Sequence, residues 1–507
     1  MPMPRINRDS NRASRPARQF PVRNRRRHCM IRCMNRLYIY PIILTIAFAL
    51  FSADASPVTA SDDCPPLDRT QPTAAHVVTA DLDYAAKTVH VRQQTRYINQ
   101  TAEALNDLAF NAAPNRWSGV MALGEVRAGD IALDFALDGT RISFDLPEAL
   151  ATGCEVHITL DFTLALPDAT GGPTRRKGYF GHTPRQINLG RWLPTVAPRI
   201  DGRWITHQPI MIGEQDILEV ADWDVTLILH NSPPDVLVAG PGIGGRVDAN
   251  HWHFVHASAR EIAFSLSPQF REDAALTHDG AVVNAYTLSA TSPMAAAHFL
   301  EVAAQSLSIY GNLFTPYPRE RLVVVQGDFP DGMEFDGLVF VGDGWFVNWN
   351  GEPRSYLTLI TAHEVAHQWW YARVGNDSAL APWLDEALAT YSEYLYLELA
   401  YPQITDWWWH FRVDNLAPQG FVDGTVYEFS NAREYINAVY LRGVRFLHDL
   451  RGDLGDDAFF ALLRDYATTY DGQIATPDDF WALLTAEQRE LTAATRARYL
   501  RQPDIDG

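Results

Sequence analysis

Between about residue 74 and residue 270 the chain is a succession of short segments rich in Val, Ile, Leu, Thr and aromatic residues, separated by turn residues, as in VHVRQQTRYIN, EVHITLDFTLAL and DVTLILHNSP. In Asp81-Leu82-Asp83-Tyr84 and Lys87-Thr88-Val89-His90-Val91 the apolar positions alternate with period two, which puts one face of each strand on a core and the other in solvent. This patterning predicts an antiparallel β-sandwich or saddle. Near residue 290 the period changes. PMAAAHFLEVAAQSLSIYGNLF carries its apolar residues at helical spacing and closes on Gly311-Asn312. Two strands follow, at residues 321–326 (RLVVVQ) and 338–341 (LVFV), flanking a glycine-bearing turn, and helices dominate from about residue 355 onward. The expected organisation is an all-β domain over residues 56–271 and an α/β, mostly helical domain over residues 272–507.

Composition narrows this picture. A chain of 507 residues that is 47% apolar and 20% charged is too long for a single core, and it shows no internal repeat that would make a solenoid or propeller. Charge is unevenly placed: residues 1–55 hold eleven arginines, no lysine and only Asp9 and Asp54 as acids, a net of +9, so the −19 of the whole chain leaves −28 for the remainder. So acidic a body repels phosphate backbones, which argues against nucleic acid as a partner.

The basic head precedes an apolar run at residues 37–51 (LYIYPIILTIAFALF) and the small-x-small sequence Ala53-Asp54-Ala55. This reads as an export signal cut after Ala55, with an uncleaved membrane anchor as the alternative and with Met30 or Met34 as alternative starts. The mature protein is then expected outside the cytoplasm: periplasmic, extracellular, or anchored and facing outward. Cys29 and Cys33 lie in the leader, leaving Cys64 and Cys154 either to form a disulfide or to sit unpaired in the core.

The chemistry is concentrated at residues 363–367, His-Glu-Val-Ala-His, inside the helical stretch SYLTLITAHEVAHQWWYA. Histidines four apart share a helix face, so His363 and His367 can reach one ion. Glu364, rotated to the flank of that face, is placed to take a proton from a water at an open fourth position without being a ligand. Two neutral imidazoles leave such an ion short of a ligand, and Glu386, in the first turn of the next helix (PWLDEALATYSEYLY), completes a His-His-Glu set. Glu393 lies two turns further along that helix; the expectation is a solvated glutamate, the alternative a partner that orients a ligating histidine.

These residues resemble the gluzincin aminopeptidases of the alanyl aminopeptidase and leukotriene hydrolase family, whose pattern is H-E-x-x-H, eighteen residues, then E. WLDEALATY at residues 383–391 is similar to the family's W-L-N-E-G-F-A segment, with Asp385 for asparagine. Gly332-Met333-Glu334 resembles the G-x-M-E-N loop, in which the glutamate binds the substrate's free α-ammonium; Phe335 stands where the family has asparagine. AVYLRGVRFLHDLRG resembles the V-Y-E-K-G-A segment and implies that Tyr440 donates to the tetrahedral oxyanion, with Tyr427 and Tyr435 as nearby alternatives.

The resemblance implies a thermolysin-like catalytic domain, one Zn2+ per chain, peptide substrates with a free N-terminus, and hydrolysis by a zinc-bound water activated by Glu364. Zinc endopeptidase, another hydrolase on the same fold, and a catalytically inert binding protein are the alternatives. The helical third domain that roofs the cleft in many members is not expected here, which implies a more open site. The run Trp407, Trp408 and Trp409 reads as core, with a pocket lining as the alternative.

Overall fold

A computed structural model describes residues 64, 65 and 67–502; the basic leader and the expected cleavage site after Ala55 lie outside the described residues. The alternating segments form strands as the period demands. In Ala221–His230 buried and half-buried positions alternate almost throughout, and around the first hairpin Leu82, Val89 and Val91 face inward while His90 faces solvent.

The largest sheet has eight strands, in the order Ile243–Arg246, His251–Ala259, Ala221–His230, Ala74–Asp83, Thr88–Ile98, Glu155–Ala165, Met121–Ala128 and Ile131–Ala132. Its pairings are antiparallel except one: Ala74–Asp83 runs parallel to Ala221–His230. The long chain between them makes this possible, since a parallel pair needs a crossover and the strands from Thr88 to Trp204 supply it. The smaller sheets cover the inner face, and Val78, Leu82, Phe110, Ile142, Trp192 and Trp223 meet in the core between them. Cys64 and Cys154 are joined by a disulfide, with Cα atoms 5.0 Å apart, which ties the first described residues to the strand that starts at Glu155.

The second part is built on a five-stranded mixed sheet, in the order Phe270–Leu276, Val282–Leu288, Arg321–Gly327, Leu338–Gly342 and Gly332–Phe335. The segment expected to be only a turn contains the edge strand Gly332–Phe335, which folds back on Leu338–Gly342 through Gly337 at φ +76°. Four residues are too few to show a period in sequence, and the left-handed glycine is what lets the hairpin close.

Against this sheet lie the helices Pro293–Leu313 and Tyr356–Ala366, with Trp383–Ala400 packed on both and Gly443–Leu454, Asp456–Thr469 and Ala486–Tyr499 further out. Ser355 caps the helix Tyr356–Ala366 by accepting from Thr358 N. Trp383–Ala400 is buried from Trp383 to Leu397, so its polar side chains had to find partners inside the protein. Among the described residues no helix is long and apolar enough to cross a membrane.

Candidate active site

His363 sits in the last turn of Tyr356–Ala366 and His367 caps it, so one turn of helix separates two imidazoles. Beyond them the chain turns back at once: Trp370 bridges Val374, Asp377 accepts from Ala379 N and Leu380 N, and Asn376 donates to Ala381 O. This compact return delivers Glu386, in the first turn of Trp383–Ala400, to the two histidines.

The Nε2 atoms of His363 and His367 are 3.2 Å apart, and Glu386 Oε2 lies 3.3 Å from the first and 3.6 Å from the second. Three ligands at 2.0–2.1 Å in a tetrahedral set stand about 3.3 Å from one another, so this triangle fits zinc and leaves the fourth apex open. Glu386 Oε2 is buried and makes no hydrogen bond, the orphaned acceptor expected of a ligand position.

The outer nitrogens are held as well. His367 Nδ1 lies 2.9 Å from Trp370 O, which assigns its proton to Nδ1 and frees Nε2 to face the site. His363 Nδ1 is 3.2 Å from Glu393 Oε1, a charge pairing rather than a hydrogen bond. Glu393 is therefore not the solvated glutamate expected: it is fully buried and accepts from Trp408 Nε1 and, through both oxygens, from Arg412. Burial pushes its carboxyl up, but Arg412 and His363 outweigh burial and hold it at about 2. A register seven residues from Glu386 placed it on the inward face; Arg412 had no signal in the sequence.

Glu364 is buried beside the set with Oε2 unpaired. Burial pushes its carboxyl up to about 8, against the pull of His363 and with the repulsion of Glu386 and Asp331. Gly332 explains how close the edge strand comes: a Cβ there would stand 2.1 Å from Glu364 Oε1, so any larger residue would displace the Glu364 carboxyl. Two residues along the strand, Glu334 is buried and its carboxyl is held well above the ordinary range by burial and then by Glu386 and Glu364. Oxygens of Glu334 and Glu364 and a nitrogen of His367 lie within 4.8 Å of one another. Met333 points into the core of the β-rich part. Phe335 anchors the loop: its ring lies 5.8 Å from that of Tyr179, under the Arg191 guanidinium at 5.0 Å, and where a Cβ on Gly190 would stand 2.2 Å away.

Tyr440 lies in the π-helical turn Ile436–Arg442, its ring parallel to that of His363 with centroids 6.0 Å apart and its hydroxyl within hydrogen-bonding reach of Glu386. Such turns recur at functional sites because they re-aim one side chain. Tyr435 stands behind it, edge-on at 5.4 Å, while Tyr427 is directed elsewhere, its hydroxyl donating to Gln208 O. Asp385, in place of asparagine, accepts from Ser378 Oγ and Glu386 N, which fixes the turn before the ligand.

Residues 298–497 match a family profile described as the peptidase family M1 domain. Aminopeptidase M1-C of Oryza sativa subsp. japonica is 27% identical over 418 residues, covering 79% of this chain and 45% of that protein. Aminopeptidase N of Lactobacillus helveticus is 27% identical over 281 residues, 51% of this chain and 33% of that protein. The chain thus spans less than half the length of these curated relatives. Among solved structures, an M1 zinc metallopeptidase from Deinococcus radiodurans matches with a TM-score of 0.58 at 16% identity, over 84% of this chain and 93% of that one. A mutant from the same organism, bound to a Tyr-Ser-Ala substrate, matches with a TM-score of 0.60 at 17% identity, over 86% and 96%. The two-part fold is shared with those structures, and the residues that carry the His-His-Glu set lie in the segment that matches the peptidase family M1 domain.

Proposed function

We propose that the protein is a zinc-dependent aminopeptidase that hydrolyses the first peptide bond of peptides with a free N-terminus. The observation that carries this reading is the placement of Glu334: a buried carboxyl on the edge strand, two residues from the glycine packed on Glu364 and next to Phe335, which is held by Arg191 and Tyr179. Glu334, Glu364 and Glu386 repel one another in a buried site, and a substrate ammonium relieves that repulsion while fixing the first peptide bond beside the metal ligands.

His363, His367 and Glu386 would hold zinc, which would supply a Lewis acid to polarise the carbonyl and lower the pKa of water. Glu364, poised near neutrality by burial, accepts the proton of the attacking water and passes it to the leaving amine. Tyr440 offers its hydroxyl to the charge that develops on the carbonyl oxygen. Glu393 and the Trp370 carbonyl hold the two imidazoles in the orientation the metal needs.

The test is chromophore release from a panel of aminoacyl arylamides, with and without a chelator, and by Glu364→Gln. Chelator-sensitive turnover that the variant abolishes supports the reading; equal cleavage of free and N-acetylated peptides removes Glu334 as the anchor and favours an endopeptidase. We also infer export from the cytoplasm, supported by the Cys64–Cys154 disulfide, since such bonds persist in oxidising compartments. Recovery of the protein only from the cytoplasm of a fractionated host would overturn that.

A further inference from the structure

Four aromatic rings form a continuous ladder outside the machinery described above. Trp345 leans over Tyr356 with centroids 4.7 Å apart, Tyr356 meets Phe411 at 5.3 Å, and Phe411 stacks on Trp407 at 5.0 Å with planes 13° apart. All four are half-buried, so each ring keeps one part in the core or against its neighbour and another part free. Trp408, the middle tryptophan of its run, is buried, whereas Trp407 is turned out to join the ladder.

Position within the cleft gives the ladder its meaning. Tyr356 and His363 are seven residues apart on one helix, hence on the same face and about 10.5 Å apart along the axis. The edge strand points the same way. Glu334 lies at its closed end, Gly332 beside Glu364, and beyond it Asp331 accepts from Gly342 N, from which the chain passes directly into the short helix Asp343–Val347 that carries Trp345. A substrate whose N-terminus is held at Glu334 and whose first peptide bond lies at Glu364 points in this direction, from Glu334 past Gly332 towards Asp331. An extended peptide advances about 3.4 Å per residue, so its fourth residue comes level with Tyr356 and its third lies one step short of it.

We propose that Trp345, Tyr356, Phe411 and Trp407 form a shelf for the third and fourth residues of a peptide substrate and select apolar, above all aromatic, side chains there. This rests on the aminopeptidase reading and adds to it a preference read at a distance from the cleaved bond. An arylamide, which ends at the leaving group, does not reach the shelf.

The test uses tetrapeptides that share the first residue of the best arylamide and carry Ala-Phe-Phe or Ala-Ala-Ala after it, with the wild type, Trp345→Leu, Phe411→Ala and the conservative Phe411→Tyr. The readout is the ratio of kcat/KM for the two peptides within each variant, which does not depend on how much of it is folded. Expected are a ratio of about tenfold in the wild type, the effect of one or two aromatic contacts, a fall to within about twofold in Phe411→Ala and Trp345→Leu, and retention in Phe411→Tyr. A wild type that turns over arylamide but treats both tetrapeptides alike, or an Ala variant that keeps the preference, overturns the shelf and leaves the aminopeptidase reading standing. Failure to cleave arylamide and free peptides alike overturns both.

Discussion

Glu393→Gln should weaken metal binding without emptying the fold. Glu393 is uncharged in this variant but nearly unchanged in size, and its carboxylate now serves His363 Nδ1 at 3.2 Å, Trp408 Nε1 at 3.1 Å and Arg412 at 3.1 and 3.0 Å. A glutamine keeps one acceptor, which the Arg412 guanidinium claims, and turns an NH2 toward the imidazole. The ring then loses the pairing that keeps its proton on Nδ1 and its Nε2 toward Glu386. Partners of ligating histidines are worth about 10- to 100-fold in metal affinity. Because the His363–Glu393 contact is a charge pairing rather than a hydrogen bond, the lower end applies, about tenfold or roughly 1.4 kcal/mol. Glu393→Ala is the poorer choice, since it strands a buried guanidinium at a cost of about 3–5 kcal/mol in stability. Competition against a chromogenic chelator reads the affinity, with thermal unfolding as the control. A folded Glu393→Gln protein whose zinc Kd stays within about twofold of wild type would refute the orienting role.

Gly332→Ala forces a Cβ onto Glu364 and should cut kcat by about 100-fold or more while zinc content, measured by atomic absorption, stays at one per chain. Tyr440→Phe removes one donor to the developing oxyanion and should lower kcat by about 100-fold with KM little changed, as steady-state kinetics on the best arylamide would show. Asp336 supplies a pH signature away from the metal: burial raises its carboxyl, but Arg319 and His256 outweigh burial and hold it at about 2. A depressed carboxylate adds stability that is complete above its unfolded pKa and is lost as pH falls through the folded one, so Asp336→Asn should cost about 2 kcal/mol at neutral pH. In urea titrations that deficit should shrink between about pH 4 and pH 2; a deficit that is absent at neutral pH, or constant across that range, would count against the account.

What the sequence determined alone is what local spacing can encode. Period-two segments become strands, a four-residue interval puts His363 and His367 on one helix face with Glu386 opening the next helix, and a family resemblance, not spacing, singles out Glu334 and Tyr440. Tertiary structure decided whatever depends on which distant segments share a surface. The parallel pairing of Ala74–Asp83 with Ala221–His230, the burial of Glu393 against Arg412, and the placement of Tyr440 beside His363 while Tyr427 turns to Gln208 have no periodic trace. The same holds for the clamp on Phe335 by Gly190, Arg191 and Tyr179, and for the outward turn of Trp407 beside a buried Trp408. Hydrophobic period reports which face of an element is inward; it carries no information on what the inward face will meet, and charge pairing, desolvation and close approach are properties of that meeting.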